Sequence, residues 1–252
     1  MPPRPATSAD ALKRIFCAID TPEAARAEAL ARKLAGAVGG IKLGLEFFSA
    51  QGPEGVRKVV AAAGGAELFL DLKFHDIPNT VAAAVRAACA LGPRIVNVHA
   101  AGGEAMMKAA REAAREGATA AGVAPPLVIA VTVLTSLDSD DLSRMGVIGG
   151  SEEQVVRLAT LAREAGLDGV VCSAREIGPI RRALGDDFIL VTPGIRPAGA
   201  RPKDDQKRTV DVAQAFANGA DYIVVGRPVR DAADPRAAAE AIQATIAGVF
   251  PR

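Results

Sequence analysis

The sequence has few of the residues that build disulfide frameworks or metal sites. Its 252 residues include three cysteines, Cys17, Cys89 and Cys172, and two histidines, His75 and His99. The cysteines are scattered, and neither a CxxC pair nor a Cys/His spacing typical of zinc occurs. A disulfide framework is therefore not expected, and the sequence argues against a histidine-rich metal site.

Net charge and long apolar runs are also missing. The 30 lysines and arginines almost balance the 29 aspartates and glutamates, and a formal charge of +1 offers no bulk attraction to nucleic acid or anionic lipid. In the uncharged stretch from Gly117 to Leu137, the dense apolar part, Leu127–Leu134, is far too short to span a membrane. The N-terminus lacks the apolar segment of a signal peptide. We therefore expect a cytoplasmic protein with no nucleic-acid and no membrane partner.

Apolar residues make up half of the chain, although only 4% of it is aromatic. This content is ample for a buried core and excludes global disorder. The length suits one large domain or two small ones, and no change in composition marks a second domain. We predict an N-terminal tail over residues 1–12 and a single domain over residues 13–252.

Short apolar runs alternate with amphipathic, alanine-rich segments along the chain. The runs predict eight strands: Ile15–Asp20, Gly40–Leu45, Glu67–Lys73, Ile95–Ala100, Leu127–Leu134, Gly169–Ser173, Phe188–Pro193 and Tyr222–Gly226. The segments predict helices near 23–37, 53–63, 79–91, 103–116, 151–165, 175–184, 209–218 and 235–249. Such alternation implies right-handed βαβ units, and eight of them in this length are typical of an α/β fold of the (β/α)8 TIM-barrel type. An open doubly wound sheet is the alternative, but its usual glycine-rich loop is missing after the first strand.

Two segments near the C-terminus indicate a phosphate site. The long polar connection between Pro193 and Thr209 follows the seventh strand, and connections of this length are usually functional or disordered. Gly226-Arg227-Pro228 follows the eighth strand, and barrels often hold phosphate after strands seven and eight. By itself, an arginine in the position of Arg227 is usually a solvated surface residue, but with the connection after strand seven beside it the phosphate site is the better interpretation.

Four charged residues occupy strand positions that face the barrel axis. Side chains alternate along a strand, so Asp71 and Lys73 point inward when the leucines of the same strand pack under the helices. The same alternation turns Asp20 and Lys42 inward. Buried charges are costly unless paired, which predicts either a structural ion-pair network or a catalytic cluster. Their position at C-terminal strand ends favours the cluster.

Several neighbouring polar residues have simpler explanations. Asp76 suits the capping region of a helix, Thr80 suits a helix surface, and His75 suits a loop. Asn97 and His99 alternate inward on the fourth strand, where they either line the site or form a packed polar layer.

The segment Asp71-Leu72-Lys73-Phe74-His75-Asp76-Ile77-Pro78-Asn79-Thr80 resembles the signature of the orotidine 5′-phosphate decarboxylase family, Asp-x-Lys-x-x-Asp-Ile-Pro-Asn-Thr. Further matches follow in order: Ala18-Ile19-Asp20, Lys42-Leu43-Gly44, Thr135-Ser136, Pro193-Gly194-Ile195-Arg196-Pro197, Asp205-Gln206-Lys207-Arg208 and Gly226-Arg227-Pro228. They cover nearly the whole chain, and the ten-residue signature is specific. A longer stretch near Gly117–Pro126 is the clearest difference from compact members of the family.

The resemblance implies decarboxylation of orotidine 5′-monophosphate to UMP in de novo pyrimidine biosynthesis, with no cofactor and no metal. It implies a homodimer with shared active sites, to which the neighbouring subunit donates Asp76 and Thr80. Lys73 would protonate the C6 carbanion, and Asp71 would lie beside the leaving carboxylate. The implied catalytic residues are Lys42, Asp71, Lys73 and Asp76, and the implied substrate-binding residues are Asp20, Lys42, Asp71, Lys73, Asp76, Ile77, Thr80, Thr135, Arg196, Gln206, Gly226 and Arg227.

Three other functions compete with this interpretation. A magnesium-dependent phosphosugar decarboxylase of the keto-gulonate-phosphate type shares Asp-x-Lys-x-x-Asp but lacks the continuation found at Ile77–Thr80. A Schiff-base aldolase needs a lysine of depressed pKa, which the neighbouring acids oppose at Lys73. A non-catalytic phosphate-binding barrel would bind UMP without converting orotidine 5′-monophosphate.

Overall fold

Parallel strands close into a barrel in a computed structural model that describes residues 8–196 and 210–249. Within those residues eight strands form the barrel, in the order β1-β10-β7-β6-β5-β4-β3-β2. They are β1 (Ile15–Ala18), β2 (Gly40–Gly44), β3 (Glu67–Phe74), β4 (Ile95–His99), β5 (Leu127–Val131), β6 (Gly169–Val171), β7 (Ile189–Thr192) and β10 (Tyr222–Val225). The predicted (β/α)8 barrel is therefore confirmed, and the open doubly wound sheet is wrong.

Helices connect the strands and cover the outside of the barrel. They are α1 (Ser8–Leu12), α2 (Ala24–Leu34), α3 (Leu45–Ala62), α4 (Pro78–Cys89), α5 (Glu104–Ala121), α6 (Ser139–Arg144), α7 (Ser151–Glu164), α8 (Ile177–Leu184), α9 (Val212–Ala217), α10 (Arg227–Arg230) and α11 (Pro235–Val249), with a 3-10 turn at Ala100–Gly102. Two short strands, β8 (Ile195–Arg196) and β9 (Val210–Asp211), pair in parallel beside the barrel. None of the described helices is long and apolar enough to cross a membrane.

The start of α3, the end of α5 and the presence of α6 differ from the sequence prediction. Helix α3 begins at Leu45 rather than near 53, because the chain is already helical before Gly52, whose φ of 59° introduces a kink ahead of Pro53. Helix α5 continues past Gly117, where an added Cβ would lie 2.8 Å from the Arg86 carbonyl oxygen; the glycine permits close helix packing instead of ending the helix. Helix α6, which the apolar pattern did not predict, begins at an Asp138 capping box.

The strands alternate between the helical layer and the barrel interior, as the sequence predicts. Leu68, Leu70 and Leu72 of β3 pack in the outer core, whereas Phe69 lies in the inner one. In the interior, the Phe16 ring meets Phe69 edge-on at a centroid distance of 6.0 Å. Aromatic edge-to-face packing of this kind fills the barrel, so the polar residues at the C-terminal strand ends lie above an apolar floor.

Candidate active site

A cavity of about 280 Å³ opens at the C-terminal end of the barrel. Seven of the sequence-predicted site residues line it: Asp20, Lys42, Asp71, Lys73, Thr135, Gly226 and Arg227. The strands β1, β2, β3 and β10 bring most of these together, because parallel strands end on the same face of a barrel. Phe69 contributes the apolar floor.

Charges of opposite sign alternate across this cavity in what we call the charge row, Asp20, Lys42, Asp71 and Lys73. Lys42 Nζ lies 3.4 Å from Asp20 Oδ1 and 3.2 Å from Asp71 Oδ2. Lys73 Nζ lies 2.6 Å from the other Asp71 oxygen, Oδ1. Each inner member therefore faces two charges of opposite sign, which offsets the cost of removing the charges from water.

Asp71 lies between the two lysines of the charge row. Asp71 is buried, with 8% of its surface exposed. Burial by itself would raise the pKa of Asp71, but Lys42 and Lys73, with hydrogen bonds from Lys73 and Asn97, lower it to about 2. Asp71 therefore stays ionised throughout the neutral range.

Lys42 also stays charged although it is largely withdrawn from solvent. Burial would lower the pKa of Lys42, but the charges of Asp71 and Asp20 and their hydrogen bonds hold it above its ordinary value. Lys42 can thus contribute positive charge to the cavity at neutral pH.

An irregularity in β3 directs Lys73 into the site. Leu70 pairs with Val96 and Phe74 with Val98, so β3 holds two extra residues against its neighbour. Lys73 adopts φ of 49°, a left-handed conformation that side chains other than glycine rarely take. The hydrogen-bond pattern of the strand thus departs from regularity where the lysine enters the cavity.

Asn97 holds this irregular segment in place. Its side chain is fully buried; Oδ1 accepts a 2.8 Å hydrogen bond from the Lys73 amide, and Nδ2 donates one of 2.7 Å to Asp71 Oδ1. Asn97 does not line the cavity but packs against the charge row, which corresponds to the packed polar layer of the two alternatives that the sequence left open. His99 does not line the cavity; its ring lies 5.3 Å from that of His75, and burial lowers its pKa, as do its interactions with His75 and Lys73.

Arg230 was missed by sequence reasoning and touches the outer end of the charge row. Its Nη1 lies 3.3 Å from Asp20 Oδ2 and also donates to the Asp20 carbonyl oxygen at 3.3 Å. Its Nε and Nη2 hold Asp231 at 2.7 and 3.0 Å. The only available signal was its position three residues after Arg227, on the same short helix α10.

Three of the predicted site residues do not line the cavity of their own chain. Asp76, Ile77 and Thr80 are exposed and absent from the cavity lining, and Ile77 itself is 67% exposed. Asp76 Oδ1 accepts from the Ile77 amide at 2.6 Å, and Ile77 rather than Asp76 occupies the N-cap of α4. Pro78 occupies the first turn of that helix, as the sequence predicts.

The remaining predicted residues lie at the edge of what the structure describes. Arg196 ends the short strand β8, and Gln206 lies outside the described residues. Within residues 8–196 and 210–249, no group of three histidine, cysteine, aspartate or glutamate side chains is arranged to hold a metal ion.

Comparisons with known proteins agree on one family. Residues 13–242 match the model of the family described as "Orotidine 5'-phosphate decarboxylase / HUMPS family". The chain is 59% identical over 234 residues to an orotidine 5′-phosphate decarboxylase of Rhodospirillum rubrum, covering 93% of this chain and 94% of the relative. It is 53% identical over 234 residues to one of Moorella thermoacetica, covering 92% of each.

A solved structure agrees with these relatives. The crystal structure of orotidine 5′-phosphate decarboxylase from Lactobacillus acidophilus matches with a TM-score of 0.81 at 38% identity, covering 92% of this chain and 98% of that one. A conserved protein from Geobacillus kaustophilus matches with a TM-score of 0.79 at 39% identity, covering 92% of this chain and 99% of that one.

Proposed function

Because the chain belongs to the orotidine 5′-phosphate decarboxylase / HUMPS family, we propose that it decarboxylates orotidine 5′-monophosphate to UMP and carbon dioxide in pyrimidine biosynthesis. The observation that carries the proposal is the charge row at the mouth of the barrel, with Lys73 beside Asp71 at 2.6 Å. The relatives from Rhodospirillum rubrum and Moorella thermoacetica, both named as decarboxylases of this substrate, favour it over other activities in the family.

The reaction requires stabilisation of negative charge on a ring carbon. Loss of carbon dioxide from C6 of the pyrimidine leaves an in-plane lone pair, which the ring π-system cannot delocalise directly. A fixed cation near C6 stabilises that charge electrostatically, and the same group then donates the proton that completes UMP. We assign both tasks to Lys73, which lines the cavity with its amine on Asp71.

Asp71 and Lys42 orient the proton donor in this proposal. Asp71 binds both lysines through different oxygens, and Asn97 fixes one of those oxygens. Lys42 supplies a second positive charge and links the row to Asp20, which we place at the ribose together with Lys42. Asp71 would adjoin the leaving carboxylate, so repulsion between like charges is relieved as carbon dioxide departs.

The phosphate is proposed to bind at the end of the cavity formed by Gly226 and Arg227. Both line the cavity after β10, and Pro193 and Gly194 line it after β7. Since β7 and β10 are the seventh and eighth strands of the barrel, this matches the usual phosphate position of barrels. We assign Thr135 to the border of the pyrimidine and Arg196 and Gln206 to the phosphate or the cover of the base. Binding energy at the phosphate, remote from C6, can serve to order the site and exclude water.

We also propose a homodimer in which each site receives Asp76, Ile77 and Thr80 from the partner subunit. All three are exposed and absent from the cavity lining of their own chain. A side chain that belongs to a site but cannot reach it within its chain can reach the equivalent site across a symmetric dimer. We place the enzyme in the cytoplasm, with the decarboxylase domain over residues 13–252.

Hybrid dimers test the shared site. We expect Lys73→Ala and Asp76→Asn each to be inactive, but co-expressed with different tags they should recover about a quarter of the wild-type activity. Half of the randomly formed dimers are then hybrids, each with one intact site. A mixture of Lys73→Ala with Lys42→Met is the control and should recover nothing, because both lysines serve the site of their own barrel and each barrel of a hybrid then carries one of the two defects. Equal recovery in both mixtures, or none in either, would count against shared sites.

The function itself is tested by ultraviolet absorbance after orotidine 5′-monophosphate is added to the purified protein. We expect conversion to UMP, with the rate unchanged after EDTA treatment. Loss of activity with EDTA would favour the magnesium-dependent phosphosugar decarboxylase, and trapping of a carbonyl substrate by borohydride would favour the aldolase. Binding of UMP without conversion of orotidine 5′-monophosphate would favour the non-catalytic phosphate-binding barrel.

A further inference from the structure

Arg230 joins two parts of the candidate site that are far apart in sequence. It ends α10, the four-residue helix that begins with Arg227, and it contacts Asp20, which follows β1. Asp20 and Arg230 are 210 positions apart in the sequence, so this contact exists because β10 and β1 pair when the barrel closes.

The Arg230 guanidinium contacts two different atoms of Asp20. Nη1 lies 3.3 Å from both the carboxylate oxygen Oδ2 and the backbone carbonyl of Asp20, while Lys42 binds the other carboxylate oxygen, Oδ1, at 3.4 Å. The Asp20 side chain is 46% exposed, so the strand by itself does not restrict its rotamer by packing. Because Lys42 and Arg230 bind different oxygens of the Asp20 carboxylate, they together hold it in one orientation.

Asp231 limits the movement of Arg230 itself. Its two carboxylate oxygens accept from Nε and Nη2 in a bidentate pair, which is the most geometrically specific arrangement an arginine makes. The Arg230 side chain is 17% exposed. The charges then alternate from Asp231 through Arg230, Asp20, Lys42 and Asp71 to Lys73.

We propose that Arg230 is a positioning residue that fixes the Asp20 carboxylate for substrate and ties it to the turn carrying Arg227. This rests on the proposed function, in which Asp20 meets the ribose and Arg227 the phosphate. Binding of phosphate by Arg227 and orientation of Asp20 by Arg230 would then depend on one short segment. Pre-organisation of this kind improves affinity because less freedom is lost on binding.

The test compares Arg230→Gln, Asp20→Asn and the double variant in steady-state kinetics with orotidine 5′-monophosphate, and in calorimetric titration with UMP. A hydrogen bond to a charged group corresponds to about a tenfold effect, so Arg230→Gln should raise KM and the UMP Kd about tenfold and change kcat much less. In the Asp20→Asn background, Arg230→Gln should raise KM and the UMP Kd by less than about threefold, because the carboxylate charge that Arg230 holds is already gone. Arg230→Lys, which keeps one charged donor, should restore part of the loss.

Arg57→Gln is the matched control, since Arg57 forms an exposed pair with Glu54 on α3 away from the cavity. It should leave KM and the UMP Kd unchanged. The positioning role is overturned if Arg230→Gln lowers the melting temperature but leaves both constants unchanged. It is also overturned if Arg230→Gln raises KM and the UMP Kd by the same factor in the wild type and in Asp20→Asn. Absence of turnover in the wild type would instead refute the proposed function, and the UMP titrations would still decide the role of Arg230.

Discussion

Replacement of Lys73 by alanine is expected to lower kcat by about 10⁴-fold or more while the barrel stays folded. General acid catalysis contributes about 10²–10⁴-fold, and one electrostatic donor about 10²–10³-fold, and Lys73 is proposed to supply both. Its amine lies 2.6 Å from Asp71 at the mouth of the cavity, above the apolar core, so its removal takes away no core packing. Steady-state kinetics with orotidine 5′-monophosphate and far-ultraviolet circular dichroism measure the two expectations.

A matched lysine on the outer surface provides the control for this change. Lys58 is exposed on α3, and Lys58→Ala should keep wild-type kinetics. Lys73→Ala with more than about a tenth of the wild-type kcat would contradict the assignment of the proton donor, because a general acid contributes at least about 10²-fold. Lys73→Ala with full UMP affinity but no turnover would place the residue in the chemical step rather than in binding.

Replacement of Asp71 by asparagine is expected to remove activity and to destabilise the fold. The substitution leaves Lys42 and Lys73 close together without the carboxylate that pairs both of them. Breaking a buried ion pair by removal of one partner costs about 3–5 kcal/mol, which corresponds to a fall in melting temperature of about 10 °C for a chain of this length. Thermal unfolding at pH 7, followed by circular dichroism, measures the loss.

The same substitution should flatten the acid dependence of stability. The pKa of Asp71 is lowered from 3.8 to about 2 in the folded protein, so its stabilising contribution is complete above about pH 4 and is lost as the pH falls toward 2. The wild type and Asp71→Asn should therefore converge in stability between about pH 4 and pH 2. Asp187→Asn is the control: Asp187 is exposed ahead of β7, at the opposite end of the barrel from the cavity. A difference between wild type and Asp71→Asn that is constant with pH would argue against Asp71 as the ionised centre of the row.

Local sequence patterns determined the strands of the barrel and most of the charge row. Alternation along β3 separates Phe69 and Asp71 from the leucines, because successive side chains on a strand point to opposite faces. Position at the ends of parallel strands then places Lys42 and Lys73 on one face of the barrel without knowledge of any contact. These features depend on residues close in sequence, so the periodic pattern of apolar and polar residues is enough to predict them.

Only the tertiary structure decided the features that depend on distant partners. The irregular pairing of β3 around Lys73 depends on Asn97 of β4, and the continuation of α5 past Gly117 depends on the approach of α4. Arg230 meets Asp20 because the last barrel strand pairs with the first. Hydrogen bonds and ion pairs between distant segments leave no period in the sequence, so their contribution appears only when closure of the barrel brings the segments together.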